Sequence, residues 1–326
     1  MSDFSTSDRN FAMEAVHATE HAAIAAAQHL GNGDEKTADL AATSALHDAL
    51  ARLSIDVTVR IGEGQAGAES QLYVGKNLGS SDGPKADVAL VALEGKSIVA
   101  RGGYNALSVL AMSENGSFLS VPDIYMDKIA IGAGYSDGLI DLDAEPGDNL
   151  KALAEAKGVP VSQLTVCLLD RPRHTKLVEK IRQVGARIQL ILDGDVSGVI
   201  AAAYSQNDVD MYLGIGAAPQ AILSAAAVRG IGGQMQARLV IRNGDEEAKT
   251  ASIGIADTAR KYTLNEMARG HITFAATGVT QGSTLRGVQL GKSRAVTHSL
   301  VVRSLTQTFH FIEGHHDFSK IREGLI

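Results

Sequence analysis

The chain of 326 residues is short of several things, and each shortage excludes something. Cys167 is its one cysteine, so no disulfide can close within it and a secreted, disulfide-stapled fold is ruled out. Tryptophan is absent, prolines number six and aromatic residues make up 4%, against 45% hydrophobic and 21% charged residues. That balance belongs to an ordinary folded protein rather than a disordered or fibrous one. No run of Lys and Arg offsets the net charge of −7, which repels polyanions and argues against nucleic acid as a partner. The longest uncharged stretch, Met211 to Val228, has the length of a membrane span, but Gly214, Gly216, Pro219 and Gln220 interrupt it. It reads as a buried strand, turn and helix, with no membrane partner. The opening Met1-Ser2-Asp3-Phe4-Ser5 has neither the basic start nor the apolar core of a signal peptide, so a cytoplasmic location is expected.

What is present divides into two rhythms, as the length predicts for about two domains. Phe11, Val16, Ile24 and Leu30 at helical spacing predict a helix from Asp8 to Leu30, and a second covers Thr37 to Leu53. The β-branched run Ile55 to Ile61 predicts a strand that leaves into Gly62-Glu63-Gly64, and Asp87 to Leu93 predicts one that leaves into Glu94-Gly95-Lys96. From about Asp148 helix and strand alternate. Helices are expected at Asn149–Ala156, Thr175–Val184 and Val196–Ala203, and strands at Leu164–Leu169, Arg187–Leu192 and Val209–Leu213. Such alternation implies a parallel sheet with right-handed crossovers. Ile272 to Ala275 and a final long strand, Ala295 to Arg303, complete the series.

The strand exits are chemically loaded. In open α/β sheets, ligands bind beyond the carboxyl ends of the strands, where loops and helix N-termini converge. Glu63, Glu94, Asp193 and Asp195, the arginines Arg171 and Arg173, and glycine turns favour a phosphorylated ligand with a divalent cation. Ordinary turn residues would look the same, so that alternative stays open. His17-Ala18-Thr19-Glu20-His21 matches a zinc-binding helix pattern, but no neighbour offers a third ligand. His315-His316 reads as part of a polar tail. Gly214-Ile215-Gly216 lacks the third glycine of a dinucleotide turn, since Pro219 stands there. Cys167, inside an apolar strand, reads as packing rather than as a nucleophile.

Six motifs occur together: Thr37-Ala38-Asp39, Ile61-Gly62-Glu63-Gly64, Tyr125-Met126-Asp127-Lys128, Asp170-Arg171-Pro172-Arg173-His174, Asp193-Gly194-Asp195 and Ala276-Thr277-Gly278-Val279-Thr280. In order and spacing they resemble class II fructose-1,6-bisphosphatases across nearly the whole chain. The resemblance implies the layered α/β sugar-phosphatase fold shared with inositol monophosphatases. Two α/β subdomains are expected, residues 1–150 carrying the metal site and 151–326 the sugar-phosphate contacts. It implies metal-dependent hydrolysis of a sugar bisphosphate, fructose 1,6-bisphosphate or sedoheptulose 1,7-bisphosphate, in a gluconeogenic or Calvin-type pathway, by a homo-oligomer. Carried over position by position, Asp39, Glu63 and Glu94 look like metal ligands. Glu94, Gly95, Lys96, Tyr125, Arg171, Pro172, Arg173, Asp193, Gly194, Asp195 and Ala217 look like substrate contacts.

The departures from the family pattern cluster at the chemistry. Val91 stands where that pattern has a metal-binding Asp, Lys96 where it has the threonine that assists the attacking water, and Gln220 where it has a Glu. Gln65 and Gln281 occupy two further places where acids are usual. Asp39, Glu63 and Glu94 against the Lys96 ammonium leave about two negative charges, enough to balance one Mg²⁺ or Mn²⁺ ion at most. The ammonium is expected in a vacated metal position, paired with Glu94 or Glu63. Hydrolysis is therefore expected to be weakened or lost. The alternative is a catalytically silent paralogue acting as a sugar-phosphate-binding or regulatory subunit.

Overall fold

The structure, a computed structural model, describes residues 10–64 and 70–320; the opening residues and Gln65 lie outside them. The chain runs α1 (Ala12–Ala27), α2 (Glu35–Ala51), β1 (Asp56–Ile61), β2 (Asn77–Gly79), β3 (Lys85–Glu94), α3 (Lys96–Arg101), β4 (Leu107–Ser113) and β5 (Tyr125–Ile131). It continues through α4 (Pro146–Lys157), β6 (Thr165–Leu169), α5 (Thr175–Gln183), β7 (Arg187–Ile191), α6 (Asp195–Ala203), β8 (Met211–Ala217), α7 (Ala218–Ile231) and β9 (Gln234–Val240). It ends with α8 (Gly244–Ser252), β10 (Tyr262–Thr263), α9 (Leu264–Met267), β11 (Ile272–Gly278), β12 (Gln289–Leu290), β13 (Arg294–Arg303) and β14 (Thr308–Asp317).

Two sheets organise these elements. The larger has the order β12-β13-β11-β4-β3-β1-β2, with β14 on the free side of β13; the smaller has the order β10-β9-β5-β8-β6-β7. Helices α1 and α2 cover one face of the larger sheet, and α6 and α7 fill the space between the sheets. Helices α4 and α5 cover the outer face of the smaller sheet. This is the layered α/β arrangement expected, and strands from both sides of residue 150 enter the larger sheet. No helix among the described residues is long and apolar enough to cross a membrane.

Residue size explains the close layering. The buried face of α1 is built from Ala15, Ala18, Ala22, Ala23 and Ala26, which favour helix and let its backbone lie close to the sheet. All seven residues of β4 are buried, because helices pack on both faces of its sheet.

Several expectations change. The sheets are mixed: β1 with β3, β6 with β7 and β6 with β8 are parallel, whereas β5, β4, β11 and β13 pair antiparallel with their neighbours. Strand β8 runs through Gly214 to Ala217 and passes straight into α7, so no loop separates them. Strand β11 extends to Gly278, absorbing Thr277 from the expected loop. The strand at 294–303 is not the last; β14 follows it, and His315 and His316 belong to β14 rather than to a polar tail.

Strand β14 is latched to α1. Glu20 of α1 is buried, and Thr297 of β13 donates to its Oε1 at 2.7 Å while His316 Nε2 lies 3.7 Å from the same oxygen. Burial raises the Glu20 carboxyl, but hydrogen bonds from His316 and Thr297 and the charges of His316 and His17 outweigh it and hold the group below its ordinary value. A depressed carboxyl stabilises the fold above its unfolded value and loses that contribution as pH falls through its folded one. Glu20→Gln should therefore cost about 1–3 kcal/mol at pH 7, the deficit shrinking well below pH 4.5. Urea unfolding of both proteins at a series of pH values measures this, and a deficit independent of pH would contradict it.

Candidate active site

The expected site residues gather where the carboxyl ends of β3, β6, β7 and β8 meet the start of β5. Gly95 and Gly194 head α3 and α6 with φ of +90° and +80°, a conformation that glycine adopts without strain. The two turns are joined directly, since the Ser97 hydroxyl donates to Asp193 Oδ2 at 2.7 Å. The expected ligand set, however, divides into two groups.

In the first group, α2 supplies Asp39, the exit of β1 supplies Glu63 and the start of α3 supplies Lys96. Lys96 Nζ lies 3.4 Å from Asp39 Oδ2, the side chains being 53% and 31% exposed. The ammonium is therefore paired with Asp39, not with Glu94 or Glu63. Both Glu63 oxygens are engaged: the Ala92 N–H donates to Oε1 and the Thr43 hydroxyl to Oε2, each at 2.8 Å. Ala92 is available because the register of β3 with β4 shifts between Val91 and Glu94. Burial raises the Glu63 carboxyl; the two hydrogen bonds oppose that, Asp39's charge adds to it and Lys96's lowers it. Val91 packs against the main core.

In the second group Glu94 is buried between the sheets with Asp195, Lys128 and Gln220. The Gln220 amide donates to Glu94 Oε2 at 3.2 Å, and the Val196 N–H approaches Oε1 at 3.5 Å. Burial, then the charges of Asp195 and Asp193, push the Glu94 carboxyl up to about 8. The Lys128 ammonium is 0% exposed, forms an ion pair with Asp195 and donates to the Ala217 carbonyl at 3.2 Å. Only glycine fits beside it, since a Cβ at Gly216 would lie 2.0 Å from Asp195 Oδ2 and 2.7 Å from Lys128 Nζ. Gln220 Oε1 and the Tyr212 hydroxyl are buried without a hydrogen-bond partner among the described residues.

Beside these groups the Tyr125 ring lies between two guanidinium groups, Arg173 at 4.8 Å and Arg242 at 4.4 Å from its centre. Arg173 donates through Nε and Nη2 to the Ile215 carbonyl, at 3.1 and 2.8 Å, and Arg242 Nε donates to Glu246 Oε1 at 2.8 Å. His174 fixes this turn: its Nδ1 pairs with the Leu169 carbonyl at 2.7 Å and its Nε2 accepts from the Ile215 N–H at 2.8 Å. Those partners require the neutral ring with hydrogen on Nδ1. Burial lowers its proton affinity, the Leu169 carbonyl opposing and neighbouring cations adding. Arg171 turns back to the Asp170 carbonyl, and Pro172 opens the single 3₁₀ turn that carries Arg173. Cys167 lies behind, buried, its thiol pushed up to about 12 by burial and then by Asp195.

Sequence reasoning quoted Lys128 within a motif but gave it no role, and it did not single out Arg242, Ser97 or Thr43. Lys128 had a signal: it shares the inward face of β5 with Met126 and Ala130, where a charge needs a buried partner.

The chain matches the model of a family described as bacterial fructose-1,6-bisphosphatase, glpX-encoded, over residues 9–316. It is 38% identical over 322 residues to fructose-1,6-bisphosphatase 1 class 2 of Escherichia coli K12, covering 94% of this chain and 95% of that one. The chain belongs to the class II fructose-1,6-bisphosphatase family. The fructose-1,6-bisphosphatases class 2 of Escherichia coli O6:H1 and Shigella flexneri match it with the same identity and coverage.

The divalent ions expected from the class II resemblance meet a donor set that does not fit a cluster of them. Asp39 holds an ammonium, Glu94 holds an amide in a separate buried group, and Val91 offers no donor. Among the described residues no three His, Cys, Asp or Glu side chains are placed to hold a metal ion.

The Lys128–Asp195 pair gives a direct test of how this class II site is held. Removing one partner of a buried pair strands the other charge, whereas removing both does not. Lys128→Met should cost about 3–5 kcal/mol in chemical denaturation. Lys128→Met with Asp195→Asn should cost distinctly less; equal losses would contradict the pairing.

Proposed function

We propose that this chain binds a sugar bisphosphate, fructose 1,6-bisphosphate or sedoheptulose 1,7-bisphosphate, and that its hydrolysis of the phosphate ester is weakened or lost. Family membership supports the substrate class. One observation carries the weakened hydrolysis: protein cations and amide groups, Lys96 on Asp39 and Gln220 on Glu94, occupy the carboxylates that would otherwise face metal ions.

The remaining side chains suit recognition. Arg173 and Arg242, at the Tyr125 ring, and Arg171, in the turn before Arg173, offer planar donors to phosphate oxygens. Asp193 and Asp195, with the Gly194 turn and the Ala217 carbonyl, border a position for sugar hydroxyls, which carboxylates accept well. Gly95 and Lys96 start the turn that faces them across the Ser97–Asp193 hydrogen bond. Asp39 and Glu63 against the Lys96 charge leave about one negative charge in the first group, with Glu94 held apart, so one Mg²⁺ or Mn²⁺ ion is balanced there at most and no step of the chemistry is assigned to a metal pair. The donors that hydrolysis needs at the entering and leaving oxygens are the ones missing. A regulatory subunit built on the same recognition set is the second reading, favoured by the survival of that set beside the altered carboxylates.

Phosphate release from fructose 1,6-bisphosphate, in Mg²⁺ or Mn²⁺, tests the proposal on this chain and on a Val91→Asp, Lys96→Thr, Gln220→Glu version. Loss of electrostatic stabilisation typically costs on the order of a hundredfold per element, so the wild type should run at least about a hundredfold slower than the repaired protein. Equal rates would overturn the weakened reading.

A further inference from the structure

We infer that the candidate site takes its sugar bisphosphate without a divalent cation, the Lys96 ammonium supplying the positive charge that an ion would bring to the phosphate. The inference rests on the proposed sugar-bisphosphate recognition and concerns how that same site holds its ligand.

Three features carry it. First, Lys96 sits at the head of α3, in the turn that faces Asp193, and its side chain is half open to solvent while its Nζ touches Asp39. An ammonium has three donors, of which Asp39 uses one, so two remain for an incoming phosphate oxygen. Secondly, the first carboxylate group is already balanced from within. Asp39 carries the Lys96 charge, and Glu63 accepts from Ala92 and Thr43 at both oxygens. A divalent ion entering between them would have to displace Lys96 against charge repulsion and share Glu63 oxygens that already accept from the Ala92 N–H and the Thr43 hydroxyl. Thirdly, Glu94 belongs to the buried group with Asp195, Lys128 and Gln220, and Lys96 is paired away from it. No acid from that group completes a cage around Asp39 and Glu63, consistent with the absence of any three-ligand cluster among the described residues.

The arrangement also sets an exchange. With the site empty of ligand, Asp39 neutralises Lys96; a phosphate competes for the same ammonium and frees the Asp39 carboxylate toward solvent, which its partial exposure allows. Ligand affinity then depends on the charge at position 96 and not on the concentration of Mg²⁺.

Calorimetric titration with fructose 1,6-bisphosphate in EDTA, and again in excess Mg²⁺, reads this directly. The wild type should bind with affinities within about twofold of each other under the two conditions. Lys96→Met should lose roughly tenfold or more in EDTA, the size expected for one charge-assisted hydrogen bond, while Lys96→Arg should stay within about threefold. Position 96 is half exposed, so the variants should fold, and thermal melting checks that they do. The Val91→Asp, Lys96→Thr, Gln220→Glu protein should bind at least tenfold tighter in Mg²⁺ than in EDTA. Wild-type binding that tightens tenfold or more with Mg²⁺, or a Lys96→Met protein that binds like wild type, overturns the inference while leaving sugar-bisphosphate recognition intact. Failure of the wild type to bind fructose 1,6-bisphosphate or sedoheptulose 1,7-bisphosphate in either condition overturns both.

Discussion

A lysine with no exposure to water holds the functional end of this protein together. Lys128 reaches from β5 to Asp195 at the head of α6 and to the Ala217 carbonyl at the end of β8, so one ammonium ties three elements of the smaller sheet and its covering helix. Asp195 in turn borders Glu94 at the end of β3, which belongs to the larger sheet. The two sheets thus meet at the site where Glu94 lies beside Asp195, and elsewhere through the apolar packing of α6 and α7. An isolated buried charge would be prohibitive, and this one is tolerated because its counter-ion and carbonyl acceptor are supplied by rigid strand and helix ends. Gly216 is part of the same solution, since the space a side chain would need is filled by the ion pair.

Beside that scaffolding of charge, three positions near the site share a pattern. Val91 is part of the core, Lys96 brings a cation to Asp39, and Gln220 brings an amide donor to Glu94. None of the three carries a negative charge, and the acids beside them are satisfied by the protein itself. The cationic and aromatic surface around Tyr125 is untouched by this pattern: Arg173 and Arg242 clasp the ring from partners that the backbone and Glu246 hold in place. The guanidinium–ring cluster and the two carboxylate groups are thus built from different side chains.

Much of the fold could be read from residues alone where side-chain pattern and backbone agree. The strand-helix alternation from α4 to α6 was legible because amphipathic helices and short apolar strands are punctuated by Gly, Asp and Pro. Strand β4 was not, because a strand buried on both faces shows no alternation. The passage from β8 into α7 was misread as a loop because Gly214 and Gly216 look like turn residues, whereas Gly216 is there to make room for Lys128 and Asp195. The mixed sheet order escaped for a different reason: β11, β13 and β14 return to pair beside β4, and local sequence carries no trace of such distant partners. At the site, the turns bearing Arg171 to Arg173 and Asp193 to Asp195 were visible from composition, but the split of the acids into two groups depends on side-chain direction, which spacing does not encode.

The latch between α1 and the strands near the C-terminal end has a bearing on assembly. Thr19 meets Thr277 across 258 positions and Glu20 meets Thr297 across 277. The alanine face of α1 is therefore shared between α2, β3 and β4, which follow it closely in the chain, and β11 and β13, which come much later. Such long-range closure slows folding. The sheet beneath the first helix of this protein is thus finished by some of its last strands.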